Sequence, residues 1–416
     1  MRWPGPLRSL ENPSLRLFFA GQTISLAGTW MQSVAQGWLV WRLTHSSLLL
    51  GLVGFLGQLP VSLLGVWAGS LADRYPRRRL VLATQANAIV QASLLAAVTL
   101  LGAVQPWHVM VLATMLGLTY AFEIPARQAL LADVAGQEMP NAIALNASIV
   151  NAARAIGPAL AGWAVATVGE GWCFALNALS FLGTFYALWV MKVPPQAVTP
   201  PGGHRAHLRE GLRYAWSTPY VRALLVLLGC SSLLAMPYAT LLPVVASEVL
   251  HGGATLFGWL QALAGVGAFV GATALLLRRR GLGGLARRIG LGATLLAAGV
   301  VVLGLSRSTP LSLAALLITG LGFVTQMAGT MTLLQGLAPG QLRGRVMGIF
   351  STLFVGVAPF GALLAGFLAH RLGVTATLTA MSSVVMVAGL AFLWRLPAMR
   401  HAIALDRPDL ACDDLP

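Results

Sequence analysis

The chain has 416 residues, of which 57% are hydrophobic and only 9% are charged, against about 25% charged in an average soluble domain. Because so few polar residues cannot cover a soluble globule of this size, the composition excludes a soluble enzyme, a disordered chain and a disulfide-rich secreted protein. It leaves an all-α polytopic membrane protein, and the net charge of +15 needs an explanation other than nucleic-acid binding.

Windows of about 20 mainly apolar residues predict twelve membrane-spanning helices. They lie at 16–41, 48–71, 80–102, 107–126, 142–166, 172–191, 220–246, 254–277, 287–306, 310–334, 345–369 and 374–395. A polar stretch divides them into six and six, and Gly136-Gln137 recurs as Gly340-Gln341, which favours two tandem six-helix pseudo-repeats.

Four segments are therefore predicted along the chain. They are an N-terminal six-helix bundle at 1–191, a linker at 192–219, a C-terminal six-helix bundle at 220–396 and a tail at 397–416. The second part of the linker has the apolar and basic spacing of an amphipathic helix on the membrane surface, and a solvated linker helix is the alternative.

The basic residues predict the topology. Of the 27 Lys and Arg residues, only Arg42, Arg307 and Arg371 fall in loops on one side, and Arg154 lies inside a span. All the others flank the spans on the opposite side. Because cytoplasmic loops are enriched in Lys and Arg, both termini are predicted to be cytoplasmic, and the charge requires no nucleic-acid partner.

The first predicted helix carries a polar face. Its five members are spaced by 3, 4, 3 and 4 residues: Gln22, Ser25, Thr29, Gln32 and Gln36. Polar groups facing lipid cost free energy when unsatisfied, so this face must meet protein or a water-filled cavity. A substrate cavity is the main interpretation, and hydrogen bonding between packed helices is the alternative.

Two charged residues lie inside predicted spans. Arg154 is roughly 15 Å deep, where a charge is costly unless it is paired or hydrated. Binding of an anionic or carbonyl-rich substrate, or control of the pKa of a nearby carboxylate, would account for it, and a structural ion pair between helices is the alternative. Asn151, one turn earlier, would share that role. Glu123, near the end of the fourth span, is a candidate proton carrier, although Arg127 at i+4 offers a local ion pair instead.

The connection after the second span carries a charged motif. Gly69 is followed by Asp73 and Arg74, and then by an arginine pair, Arg77 and Arg78. This pattern resembles the loop signature of the major facilitator superfamily, with Pro76 where a glycine is usual. The resemblance implies alternating access around a central site and a conformational gate, in which the Asp73 carboxylate caps the eleventh helix.

Two further stretches, Phe122–Leu131 and Ala153–Gly162, resemble the branch called transmembrane secretion effectors, which contains the enterobactin exporter and macrolide-efflux carriers. Gly157, Pro158 and Gly162 are similar to an antiporter signature and are predicted to bend the fifth helix or to allow close packing against the eighth. The resemblance also implies that the seventh and tenth helices line the cavity, so their polar residues are candidates for lining or for packing: Tyr238, Gln326 and Thr330.

The resulting expectation is an exporter of small amphipathic molecules in the cytoplasmic membrane, driven by a proton gradient. An uptake carrier for a small organic anion or nutrient is the alternative. No catalytic or metal-binding motif is recognised, so neither an enzyme nor a metal or cofactor is expected. The expected partners are a small-molecule substrate and the lipid bilayer, and the expected state is a monomer.

Overall fold

The structure is a computed structural model that describes residues 5–193, 205–276 and 284–399. Within these ranges the chain is helical and contains no β-strand. The predicted all-α class is therefore confirmed for the described residues. The chain divides into two compact units, Met1–Pro201 with Ala246–Ala262, and Gly202–Val245 with Leu263–Pro416.

Six long helices build the first unit. They are α1 (Pro13–Thr44), α2 (Ser47–Arg74), α3 (Arg77–Leu100), α4 (Pro106–Ala135), α5 (Met139–Val168) and α6 (Glu170–Val190). Their ends follow local sequence signals. The Asn12 side chain accepts a hydrogen bond from the Ser14 amide at 2.9 Å and caps α1, while Gly169, with φ of +85°, permits the sharp turn between α5 and α6.

The second unit begins with the short linker helix α7. Its helices are α7 (Arg205–Ser217), α8 (Pro219–Cys230), α9 (Tyr238–Val244), α10 (Ala254–Leu276), α11 (Leu285–Leu305), α12 (Thr309–Leu337), α13 (Gly340–Ser351), α14 (Ala358–Leu372) and α15 (Val374–Trp394). A π-helical turn, Ser231–Ala235, separates α8 from α9, and another, Thr352–Gly356, separates α13 from α14. The first part of α10, up to Ala262, belongs to the first unit.

Each unit has its own apolar core. In the first, Leu15, Val81 and Leu130 pack together from α1, α3 and α4, and in the second a core forms around Leu224 of α8 and Ile289 of α11. Many large apolar side chains face outward instead. Such side chains would be a liability in water, but they are what a bilayer requires of the outer surface.

Ten segments of the described residues are long and apolar enough to cross a membrane. One of them, Pro106–Val168, runs through both α4 and α5, and α1 is not among the ten. The chain is thus a multi-pass membrane protein, and the number of twelve crossings stays a prediction.

Candidate functional site

The polar face of α1 divides into buried and half-buried members. Gln22, Ser25 and Gln32 are buried, whereas Thr29 and Gln36 are half-buried. The Gln22 side chain donates a hydrogen bond to Asn146 Oδ1 of α5 at 2.5 Å. The residues that helical spacing places on one face therefore differ in exposure, since some are buried and others are half-buried.

Gln32 is the centre of a buried hydrogen-bond chain. Its Nε2 donates to Gln91 Oε1 of α3 at 3.0 Å, and its Oε1 accepts from Asn177 Nδ2 of α6 at 2.7 Å. Ser180 extends the chain by donating to Asn177 Oδ1. For Gln32 the contacts match the packing alternative, since its amide joins three helices.

This chain of amides predicts unequal effects of two similar substitutions. Gln32→Leu leaves the Gln91 oxygen and the Asn177 amide without their partner, so we expect a loss of about 1–3 kcal/mol in stability and a lower thermal midpoint. Gln36→Leu, at the half-buried end of the same face, is the matched control and is expected to shift the midpoint far less. Thermal unfolding in detergent measures both, and equal midpoints would contradict the assignment.

A carboxylate is buried where α3 and α4 meet. Glu123 is 4% exposed, and its Oε1 accepts hydrogen bonds from Gln85 Nε2 at 2.8 Å and from Arg127 Nη2. Its Oε2 is buried without a hydrogen-bond partner among the described residues. The predicted Arg127 pair is present, and sequence reasoning missed Gln85, whose only signal was an amide within an apolar span.

Arg154 and Asn151 are both half-buried on α5. The Asn151 amide donates to the Ala147 carbonyl of its own helix at 2.9 Å. The neighbours of Arg154 along α5 define its position. Gly157 packs against Trp30 of α1, and the Pro158 carbonyl oxygen lies next to Gly258 of α10.

At 3.6 residues per turn, Gly157 lies about 60° to one side of Arg154 and Pro158 about 40° to the other. The Arg154 position therefore lies on the sector of α5 between its contacts with α1 and with α10, inside the first unit.

The same stretch of α5 makes a close helix crossing. A Cβ at Gly162 would lie 2.6 Å from the Ala254 carbonyl oxygen and 2.8 Å from Gly258 Cα, both backbone atoms of α10. Only glycines on both helices allow this approach, as at small-residue helix contacts in membranes. The helix α5 runs unbroken through Pro158.

The charged connection between α2 and α3 is held by ends of other helices. Arg77 pairs with Asp133 of α4 at 2.5 Å, and Arg78 donates from Nε to the Leu188 carbonyl at 2.9 Å and also to that of Trp189. Arg74 is exposed, and the Asp73 side chain lies outside the described part. A Cβ at Gly69 would meet no atom within 4 Å, so packing does not explain that glycine.

In the second unit, two predicted residues lie on α12. Gln326 donates to Ser231 Oγ of the π-helical turn at 2.8 Å and to the Leu227 carbonyl at 3.4 Å, and Thr330 is fully buried. Tyr238 is half-buried at the start of α9. The described residues contain no group of three or more His, Cys, Asp or Glu side chains able to hold a metal ion.

Comparison with solved structures identifies the fold. A bacterial homologue of the human lysosomal transporter Spinster superposes with a TM-score of 0.69 at 15% identity, covering 100% of both chains. The nucleoside transporter NupG superposes with a TM-score of 0.72 at 13% identity, covering 93% of this chain and 99% of NupG. Both are major facilitator transporters, so the predicted fold class is confirmed.

Comparison of sequences identifies relatives and the family. The multidrug efflux pump Tap of Mycolicibacterium fortuitum is 27% identical, over 96% of this chain and 99% of its own. The staphyloferrin A transporter of Staphylococcus aureus is 27% identical, over 88% of this chain and 92% of its own. The enterobactin exporter EntS of Escherichia coli is 27% identical, over 94% of this chain and 93% of its own. The transmembrane secretion effector family matches residues 4–410, and the chain therefore belongs to this family of major facilitator transporters.

Proposed function

We propose that this chain is a secondary active transporter that exports small amphipathic molecules, siderophore-like or drug-like, by alternating access and proton antiport. The relatives support the direction, because they include a pump named for multidrug efflux and an exporter named for enterobactin. In this proposal the protein is a monomer without cofactor in the cytoplasmic membrane. Both termini are cytoplasmic, and the transporting halves are residues 1–191 and 220–396.

The position of Arg154 is the main support for the proposed substrate site. A guanidinium at this depth is expensive in a membrane unless it is paired or hydrated. Its sector of α5 lies between the contacts with α1 and with α10, and α1 contributes the half-buried Thr29 and Gln36. We assign the binding of anionic or carbonyl-rich groups of the substrate to Arg154, Asn151, Thr29 and Gln36.

The remaining predicted residues take lesser parts in this proposal. Gln22, Ser25 and Gln32 support the cavity wall from buried positions. Tyr238, Gln326 and Thr330 are also proposed as substrate-cavity residues. The motif residues Gly69, Asp73, Arg74, Arg77 and Arg78 are proposed to form the conformational gate, and Gly157 and Pro158 to shape α5.

Proton coupling is assigned to Glu123. Its Oε1 already accepts two hydrogen bonds, whereas Oε2 is buried and receives none from the part of the chain that the structure describes. An ionised carboxylate with an unsatisfied oxygen is costly away from water. Taking up a proton neutralises the Glu123 carboxylate and weakens its attraction to the Arg127 guanidinium, so the charged and neutral forms differ in their electrostatic contacts. A carboxyl group that alternates between these two forms can carry one proton for each transport cycle.

The second candidate is an uptake carrier for a small organic anion, which the cationic Arg154 also suits. Export and uptake can be distinguished with energised inside-out vesicles that contain a pH-reporting dye. Addition of a substrate from a panel of siderophores, macrolides and lipophilic cations is expected to dissipate the proton gradient. A response only in right-side-out vesicles, for uptake of an anion, would replace the exporter by the carrier.

Arg154→Ala is expected to abolish the substrate-dependent response because the cavity loses its only proposed cationic contact. Membrane insertion should stay intact, measured as the amount of protein in the vesicles. The matched control is Arg307→Ala, at an exposed arginine whose one hydrogen bond within the described residues is to Thr375 at 3.5 Å. Wild-type transport by the Arg154 variant would overturn the proposed substrate site.

A further inference from the structure

A cavity of about 490 Å³ lies in the first unit at the start of α3. The ends of α4 and α6 form its other walls. Its polar lining consists of Arg77, Arg78 and Arg79 with one carboxylate, Asp133, and Trp189 borders it from α6. Counted over the described lining residues, three guanidinium groups to one carboxylate give this cavity an excess of positive charge.

The three arginines lie at the amino end of α3, where positive charge is least favourable for a helix. The first turn of α3 holds three consecutive arginines, no acidic residue and no side-chain cap. The amino end of a helix carries a partial positive charge, so cations there are unfavourable and anions favourable. The enrichment of cytoplasmic loops in Lys and Arg explains arginines in this connection, but it does not explain their position on the first helical turn. A bound anion would offset the local repulsion.

Two of the arginines are held in fixed positions. Arg77 is paired with Asp133, and Arg78 donates from Nε and Nη2 to carbonyls at the end of α6. Arg79 is exposed and has no hydrogen-bond partner among the described residues. The cavity thus combines an available guanidinium with neighbours already oriented, an arrangement suited to a phosphate group.

The surroundings favour a phosphate carried by a lipid. Trp189 is 62% exposed at the end of α6, and an indole at the end of a membrane helix is typical of the headgroup level. Leu182 and Tyr186 continue an exposed apolar row along α6 away from the cavity, on which an acyl chain can lie. We propose that this cavity binds the phosphate of an anionic phospholipid, with Arg79 as the principal contact.

The test uses the full chain purified in a neutral detergent and titrated with short-chain phosphatidylglycerol, phosphatidylcholine or inorganic phosphate. Native mass spectrometry counts the bound lipid. We expect a phosphatidylglycerol adduct in preference to phosphatidylcholine, and an affinity about fivefold weaker in Arg79→Gln, since one basic residue is lost. Arg79→Lys should retain more of the affinity.

Arg343→Gln, at an exposed arginine of the second unit, is the matched control and should bind phosphatidylglycerol like the wild type. Trp189→Ala should weaken lipid binding without changing binding of inorganic phosphate. Inorganic phosphate that competes at the same concentration as the lipid would overturn the lipid assignment. Equal adducts in Arg79→Gln and in the wild type would overturn the site itself.

Discussion

Glu123→Gln is expected to reduce substrate-driven proton movement to the background of vesicles without the transporter. Glutamine has nearly the same shape and keeps an oxygen that can accept from Gln85 and Arg127, so the local hydrogen bonds can persist. It cannot take up or release a proton. The expected result is a folded protein that binds substrate but no longer exchanges it for protons.

The same vesicles and dye measure this effect, and Glu138→Gln is the control. Glu138 is also a glutamate paired with an arginine, Arg8 at 3.3 Å, but its side chain is 34% exposed rather than buried. Unchanged proton movement in the Glu123 variant would contradict the coupling role.

A double variant separates coupling from a purely structural ion pair. Glu123→Gln leaves the Arg127 charge without its partner, which lowers stability whatever the function of Glu123. Glu123→Gln combined with Arg127→Gln removes both charges and should recover part of the thermal midpoint. If the double variant recovers proton-coupled transport as well, Glu123 is only a structural partner of Arg127.

Gly162→Ala is expected to destabilise the first unit by about 1–3 kcal/mol, the usual cost of overpacking. The added Cβ would meet two backbone atoms of α10 at less than 3.0 Å, and backbone atoms cannot move aside as a flexible side chain can. Gly258→Ala creates the reciprocal collision, with the Pro158 carbonyl oxygen at 2.5 Å. Because both changes separate the same two helices, their effects should not add.

Gly183→Ala is the matched control for this packing prediction. Gly183 lies within a helix of the same unit, and a Cβ there would meet no atom within 4 Å. Alanine in such a position stabilises a helix by roughly 0.5–1 kcal/mol relative to glycine. Thermal midpoints in detergent should therefore move in opposite directions, and a Gly162 variant as stable as the wild type would show that the crossing is looser.

Predictions from the sequence succeeded where the cause is local along the chain. The Glu123–Arg127 pair follows from i,i+4 spacing on one helix, and it is present in the structure. Gln85, which completes the carboxylate's contacts, comes from another helix 38 residues away. No spacing rule relates these two positions, since only the packing of α3 on α4 brings them together.

The polar face of α1 shows the same limit. Helical periodicity correctly places the five residues on one side, but it does not say which neighbouring helix each will meet. Gln32 meets amides 59 and 145 residues away, whereas Thr29 and Gln36 remain half-buried. A stripe read as a single functional surface thus contains residues in different environments.

The sequence by itself determined the membrane class, the helical fold and the approximate positions of the long helices, because apolar length and helix-end signals act within a short stretch of chain. It also determined the family, through motifs that are contiguous in the chain. Close packing of the Gly162 stretch against the eighth span, which is α10, follows the sequence prediction, whereas only the tertiary structure decided the partners of Gln32, the contact of Gln85 with Glu123 and the arginine-lined cavity at α3. Those features depend on side chains and backbones that are distant in sequence and meet only when the helices pack.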